Sequence, residues 1–200
     1  MEGNGSATAR LREEHQVILV VLDAFERMLD AADPTDPPRK DLDDCLGFFR
    51  SFTEACHHGK EEDLLFRELE EHGVSQEEGP LAVMIQEHRM GSRLVNGMSE
   101  ALHALSAGDD GAWSRFEEAG RDYLELLRNH IGKEDGGVFE MADGMVTGSA
   151  CARLCARYEK VCSRRFEGRK KEELEALAQD LARRADGLSS RPSDTKGGGS

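Results

Sequence analysis

Slid along itself by 73 residues, the chain falls into register at the residues that carry chemistry. Glu14-His15 lands on Glu87-His88, His57-His58-Gly59-Lys60-Glu61-Glu62 on His130-Ile131-Gly132-Lys133-Glu134-Asp135, and Phe66 on Phe139, with no gap between the matches. His15 precedes His57 by 42 residues, and His88 precedes His130 by the same 42. A repeat of this length marks a duplicated pair of elements. What the halves share is histidine and carboxylate rather than apolar side chains, a selection that core packing alone does not favour.

The elements that carry the repeat read as helices. Apolar residues recur at helical spacing, as in Trp113, Phe116, Tyr123, Leu124, Leu127 and Ile131, and no alternating strand pattern competes. Breakers divide the chain at Asp33-Pro34-Thr35-Asp36-Pro37-Pro38, at Gly73 and around Gly108. Helices are therefore predicted over about 7–32, 39–72, 79–107 and 110–142, with a fifth after Gly144 to Gly148. Short connections between long helices favour antiparallel neighbours. The expected fold is all-α: an antiparallel up-down four-helix bundle over 8–148, behind a flexible N-terminus at 1–7. A C-terminal helix is appended at 149–188, and a disordered Ser-, Pro- and Gly-rich tail follows at 189–200.

Charge and composition narrow the partners. A formal net charge of −14 repels phosphate backbones, so nucleic acid is not expected as a ligand. The longest apolar run, Val17 to Leu22, is far short of the roughly 20 residues that span a bilayer. With no apolar leader in residues 1–16, the expected location is the cytoplasm and no membrane partner is expected. Five cysteines, odd in number and outside CxxC pairs, argue against a disulfide framework or a zinc ribbon.

His57 and Glu61 lie four apart, as do His130 and Glu134, so each pair projects from one helix face. His15 and His88 each add an imidazole from the preceding helix. A lone helical histidine is ordinarily structural; the repetition singles these four out. Six such side chains converging in a bundle core match carboxylate-bridged dimetal sites. Mixed imidazole and carboxylate donors suit iron or manganese better than copper(I) or structural zinc. With both carboxylates bridging, two octahedral ions keep open positions, which makes the site reactive or ligand-binding.

Other residues keep two readings. His58, about 100° from His57 around an α-helix, reads as lying behind the site or on the surface, and His72 and His103 as surface residues. Glu62 and Asp135 read as solvated or as supporting the ligands. Glu14 and Glu87 either orient an imidazole or sit at a helix boundary. Tyr123, two turns before His130, either approaches the metals or packs in the core. Cys151, Cys155, Tyr158 and Cys162 share one stripe, as a redox face or a packing seam; Cys56 should point away from His57. The basic run from Arg164-Arg165 to Lys170-Lys171 reads as a solvated face. Among the four repeated histidines, ferritin-like Glu-x-x-His spacing is met only at Glu54 and His57, since Leu127 precedes His130 by three.

The order His15, His57/Glu61, His88, His130/Glu134 resembles that of hemerythrin-like proteins with an HHE cation-binding domain, over about residues 8–142. The resemblance implies a non-heme di-iron cofactor: two iron ions held by the four histidines, bridged by Glu61 and Glu134 and by an oxo or hydroxo group. Members of the family bind dioxygen, react with nitric oxide or peroxide, or sense oxygen and iron. Two departures stand out. Oxygen carriers place a fifth histidine four residues after the third-helix histidine, where this chain has Ser92, and take their last carboxylate from the position of Asp135. The missing histidine shifts the expectation to redox chemistry with peroxide, nitric oxide or dioxygen, fed by an electron-donor protein or a small reductant. The alternative is a dioxygen-binding or oxygen- or iron-sensing module without turnover.

Overall fold

In the computed structural model, which describes residues 6–165 and 170–189, every regular element among the described residues is a helix. Helix α1 spans Ala9–Ala31. Helix α2 starts as Arg39–Phe48, passes through π-helical stretches at Phe49–His58 and Glu61–Leu65, and ends as Phe66–Glu71. Helix α3 is Gly79–Ser106. Helix α4 runs from Ala112–Lys133 through a π turn at Glu134–Val138 into Phe139–Met145. Two more follow, α5 (Gly148–Arg165) and α6 (Lys171–Ser189).

Local chemistry sets the ends. Asp33 accepts hydrogen bonds from the backbone N–H and hydroxyl of Thr35 at 2.8 and 2.7 Å, a side-chain turn that redirects the chain ahead of its prolines. Gly73 closes α2 in the left-handed region at φ 91°, and the Val74 N–H returns to the Leu69 carbonyl at 3.0 Å. Gly120 lets α4 approach α1, since a Cβ there would lie 3.1 Å from Leu29 and 3.2 Å from Phe25.

The core is two apolar clusters with a polar slab between them. One cluster gathers Ile18, Phe25, Phe49, Phe52, Val95 and Leu127, among others. The other gathers Leu11, Leu64, Phe66, Met84, Val138 and Phe139. Each of α1–α4 crosses from one cluster to the other, and at the crossing it buries His15, His57 with Glu61, His88, or His130 with Glu134. Burying that many polar groups is unfavourable unless each is paired or bound to a metal.

The appended region is two helices instead of the single helix expected over 149–188, with Lys170 outside either. Each covers a different cluster. Cys151, Leu154 and Tyr158 of α5 join the Leu11–Leu64 cluster. Leu174, Ala178, Leu181 and Ala185 of α6 join the other and lie along α1. The run Val17 to Leu22 makes α1 apolar around most of its girth, so it needs cover on more than one side. Arg184 ties α6 to α2 through Asp41 and Asp44 at 2.9 and 2.7 Å. At the other end, Ser6 and Ala7 are anchored although the sequence suggests a flexible start. Ala7 is buried, and the Ser6 hydroxyl donates to Asp143 at 2.9 Å. The expected tail beyond residue 189 lies outside the described residues, as do the side chains of Cys162, Arg164 and Arg165. No described helix is long and apolar enough to cross a membrane.

Candidate metal centre

All six residues picked out by the repeat meet in the polar slab, and His58 joins them. The donor atoms form two buried groups, His15, His57, Glu61 and Glu134 in one and His58, Glu61, His88 and His130 in the other. Within each group the atoms lie within 4.8 Å of one another, and Glu61 belongs to both. Glu134 also spans them: its Oε2 is 3.1 Å from His15 Nε2, its Oε1 3.2 Å from His130 Nε2 and 3.9 Å from His88 Nε2.

The outward face of each imidazole is held by a carboxylate. His57 Nδ1 lies 3.2 Å from Glu14 Oε2 and His130 Nδ1 2.9 Å from Glu87 Oε2, two contacts related by the 73-residue repeat. His88 Nδ1 lies 2.7 Å from Glu62 Oε1 and His15 Nδ1 3.0 Å from Asp135 Oδ1, and these too are repeat mates. An ionised carboxylate only accepts, so each Nδ1–H donates and each Nε2 turns its lone pair inward. Glu14, Glu87, Glu62 and Asp135 thus orient ligands, and none belongs to either metal-capable group. Phe139 stacks on His15 at 5.1 Å, and Phe66 lies parallel to His88 at 6.0 Å, the repeated phenylalanines serving matched histidines.

Behind the carboxylates stand lysines. Lys60 donates to Glu14 and Lys133 to Glu87. Lys171 also reaches Glu14, at 3.0 Å, so part of the basic run expected to be solvated is drawn onto the site. Burial works against the Glu14 charge, but His57, Lys60 and Lys171 outweigh it and hold its carboxyl far below the usual range. Burial pushes the His57 imidazole down to about 4, leaving it neutral at neutral pH, as a metal ligand must be.

Inside, like faces like. His57 Nε2 and Glu61 Oε1 are 3.3 Å apart, His88 Nε2 and Glu61 Oε2 3.4 Å, and His88 Nε2 and His130 Nε2 3.1 Å. Both Glu61 oxygens, Glu134 Oε1, His57 Nε2 and His58 Nε2 are buried without hydrogen-bond partners. Burial, then repulsion from Glu134, raises the Glu61 carboxyl well above its ordinary range. Glu134 is held low, because His130 and His15 outweigh its burial. Acceptors crowded onto one spot are costly as they stand and are satisfied by cations between them. The donor set therefore fits metal ions.

The model of the hemerythrin HHE cation binding domain matches residues 6–142. The chain belongs to the hemerythrin HHE family. No curated protein and no solved structure matches it. Family membership makes this a cation-binding domain, and α5 and α6 lie beyond the matched span.

Sequence reading missed His58 because it assumed α-helical angles. Here α2 is π-helical over Phe49–His58, and the wider turn sets neighbours closer in angle. His58 is buried and stacks on His88 at 3.8 Å. The available signal was the doublet His57-His58 standing against His130-Ile131 in the second half. Ser92, in the oxygen carriers' fifth-histidine position, lies near Glu54. Tyr123 packs at 4.8 Å on Phe49 within the first apolar cluster. Cys56 is buried and disulfide-bonded, where the cysteine pattern had argued against a disulfide framework.

Proposed function

We propose that this hemerythrin-family protein holds two iron ions and uses them for redox chemistry with peroxide, nitric oxide or dioxygen. The observation that carries this is the pair of buried donor groups sharing Glu61. One ion would take His15, His57, Glu61 and Glu134; the other would take His58, His88 and His130 with Glu61, and Glu134 is near enough to bridge. Bound iron supplies electron exchange and Lewis acidity at any position the protein leaves open. The chain's part is to hold seven donors in place and to bury them away from water. Each group has four residues; with Glu134 bridging, the first ion has one protein donor fewer than the second, so the open position belongs on the His15–His57 side. An up-down course for α1–α4 accompanies this reading, supported by their short connections.

One contact favours the sensing alternative: Lys171 links α6 to Glu14, and Glu14 holds His57. A change at the metals would thus reach a helix outside the family's domain.

The deciding measurement is metal content by mass spectrometry on iron-replete protein, with optical spectra before and after peroxide and nitric oxide. About two irons per chain and near-ultraviolet absorption that both reagents alter support the proposal. A stable dioxygen adduct without turnover supports the binding module, and one tightly held zinc overturns both.

His58→Ala separates the two groups. It is expected to release about one ion per chain and keep the other, whereas a residue merely behind the site would change affinity about 10–100-fold for both. Stepwise metal titration followed by native mass spectrometry reads the difference.

A further inference from the structure

Helix α5 lies outside the family's matched span and carries chemistry of its own. Cys151 and Cys155 sit one turn apart with sulfurs 3.9 Å from each other. Four residues of helix advance about 6 Å, inside the roughly 4.4–6.8 Å that separates the Cα atoms of a disulfide. Cys151 is buried, while Cys155 is partly open to solvent beside the Ser6 carbonyl. Tyr158 follows on the same face. Its ring is 1% exposed and its hydroxyl has no hydrogen-bond partner. An orphaned buried hydroxyl calls for an explanation. The phenol is within electrostatic reach of Glu61 and Glu14 and of both cysteines, and α5 runs against the π-helical stretches of α2 that carry His57 and Glu61.

We propose that Cys151 and Cys155 are a built-in two-electron donor for the metal centre, with Tyr158 as the relay between them. The proposal rests on the redox reading given above. The oxidant is a hydroperoxide, and iron held by the donor groups would supply the electron exchange. Two electrons leave the sulfurs as the Sγ–Sγ bond forms. They and the two thiol protons end on the peroxide oxygens as the O–O bond breaks, giving two hydroxyl products, and an external dithiol later reopens the disulfide through the accessible Cys155. Burial and the neighbouring thiol hold Cys151 above its ordinary range. That makes it a poor direct nucleophile toward peroxide and leaves the route through the centre. A disulfide within one helical turn is strained, hence easily reduced again.

The test uses the full chain, iron-loaded, with one to two equivalents of hydrogen peroxide. The peptide holding Cys151 and Cys155 is then analysed by mass spectrometry for loss of two hydrogens. Expected are stoichiometric conversion in the wild type, none on the same timescale in metal-free protein, and at least tenfold slower conversion in Tyr158→Phe at unchanged iron content. Cys155→Ala, at a half-open site, is expected to keep the fold and iron while stopping recovery of the centre's reduced spectrum. Peroxide consumed with both thiols intact overturns the proposal and leaves the redox reading standing. Equal thiol loss without metal, or at an unchanged rate in Tyr158→Phe, overturns the relay. No peroxide consumption by the iron-loaded wild type overturns both.

Discussion

Glu61→Gln is expected to cost the protein both metal ions at once, because Glu61 alone is shared by both donor groups and an amide of the same shape cannot bridge two cations as an anion does. A loss of binding of about 100-fold or more removes about 2.7 kcal/mol of metal-linked stability at ligand levels that saturate the wild type. In chelated protein the order changes. Burial and Glu134 raise the Glu61 carboxyl well above its ordinary value, 4.5. A carboxyl raised on folding costs stability increasingly as pH rises past that ordinary value, and glutamine carries no such cost. Metal-free Glu61→Gln should therefore melt no lower than metal-free wild type at neutral pH, while the metal-loaded forms differ by several degrees. Calorimetry with and without chelator checks both halves. A variant destabilised equally in both conditions would show Glu61 to be a packing residue.

The repeat supplies a matched pair of substitutions with very different expected costs. Glu14→Ala strands Lys60, which is 0% exposed, and removes one of the partners of Lys171. An uncompensated buried charge costs about 3–5 kcal/mol. Glu87→Ala, its mirror, strands Lys133, whose side chain is 46% exposed and takes up water instead; such pairs are worth about 0–1 kcal/mol. Both variants free one Nδ1 and should weaken metal binding to a similar degree, about 10–100-fold. Denaturant unfolding of the metal-free proteins separates the halves, and metal titration should not. The pH dependence follows from the Glu14 carboxyl being held low in the folded state. Its contribution is present above the ordinary 4.5 and is lost as pH falls below it. The gap between wild type and Glu14→Ala should accordingly narrow in acid. Equal costs in the two halves would mean that Lys60 is not sealed in.

Much of this site is legible from residue spacing. Four-residue steps put His57 with Glu61 and His130 with Glu134 on common faces, and the 42-residue spacing pairs each with His15 or His88. The helix ends at Asp33 and Gly73 follow from local backbone chemistry and agree with the sequence reading. Glu14 and Glu87 were visible as repeated residues, but two roles fitted them equally until the 3.2 and 2.9 Å contacts with His57 and His130 were seen. Glu62 and Asp135 are one step past a ligand, yet each serves a histidine of another helix, which no local pattern encodes.

By itself the sequence determined that the chain is helical, that it is built as two related halves, and that four histidines and two glutamates belong together. Those properties rest on side-chain chemistry and helical period, both of them local. Only the tertiary structure decided that π turns bring His58 beside His88, that the appended segment splits so as to cover one apolar cluster with each half, and that Lys60 is sealed in while Lys133 meets solvent. Each depends on contacts between residues far apart in the chain. The two halves repeat the same residues, but α6 lies along α1 of the first half and sends Lys171 to its Glu14, and burial, not identity, sets what a charge costs.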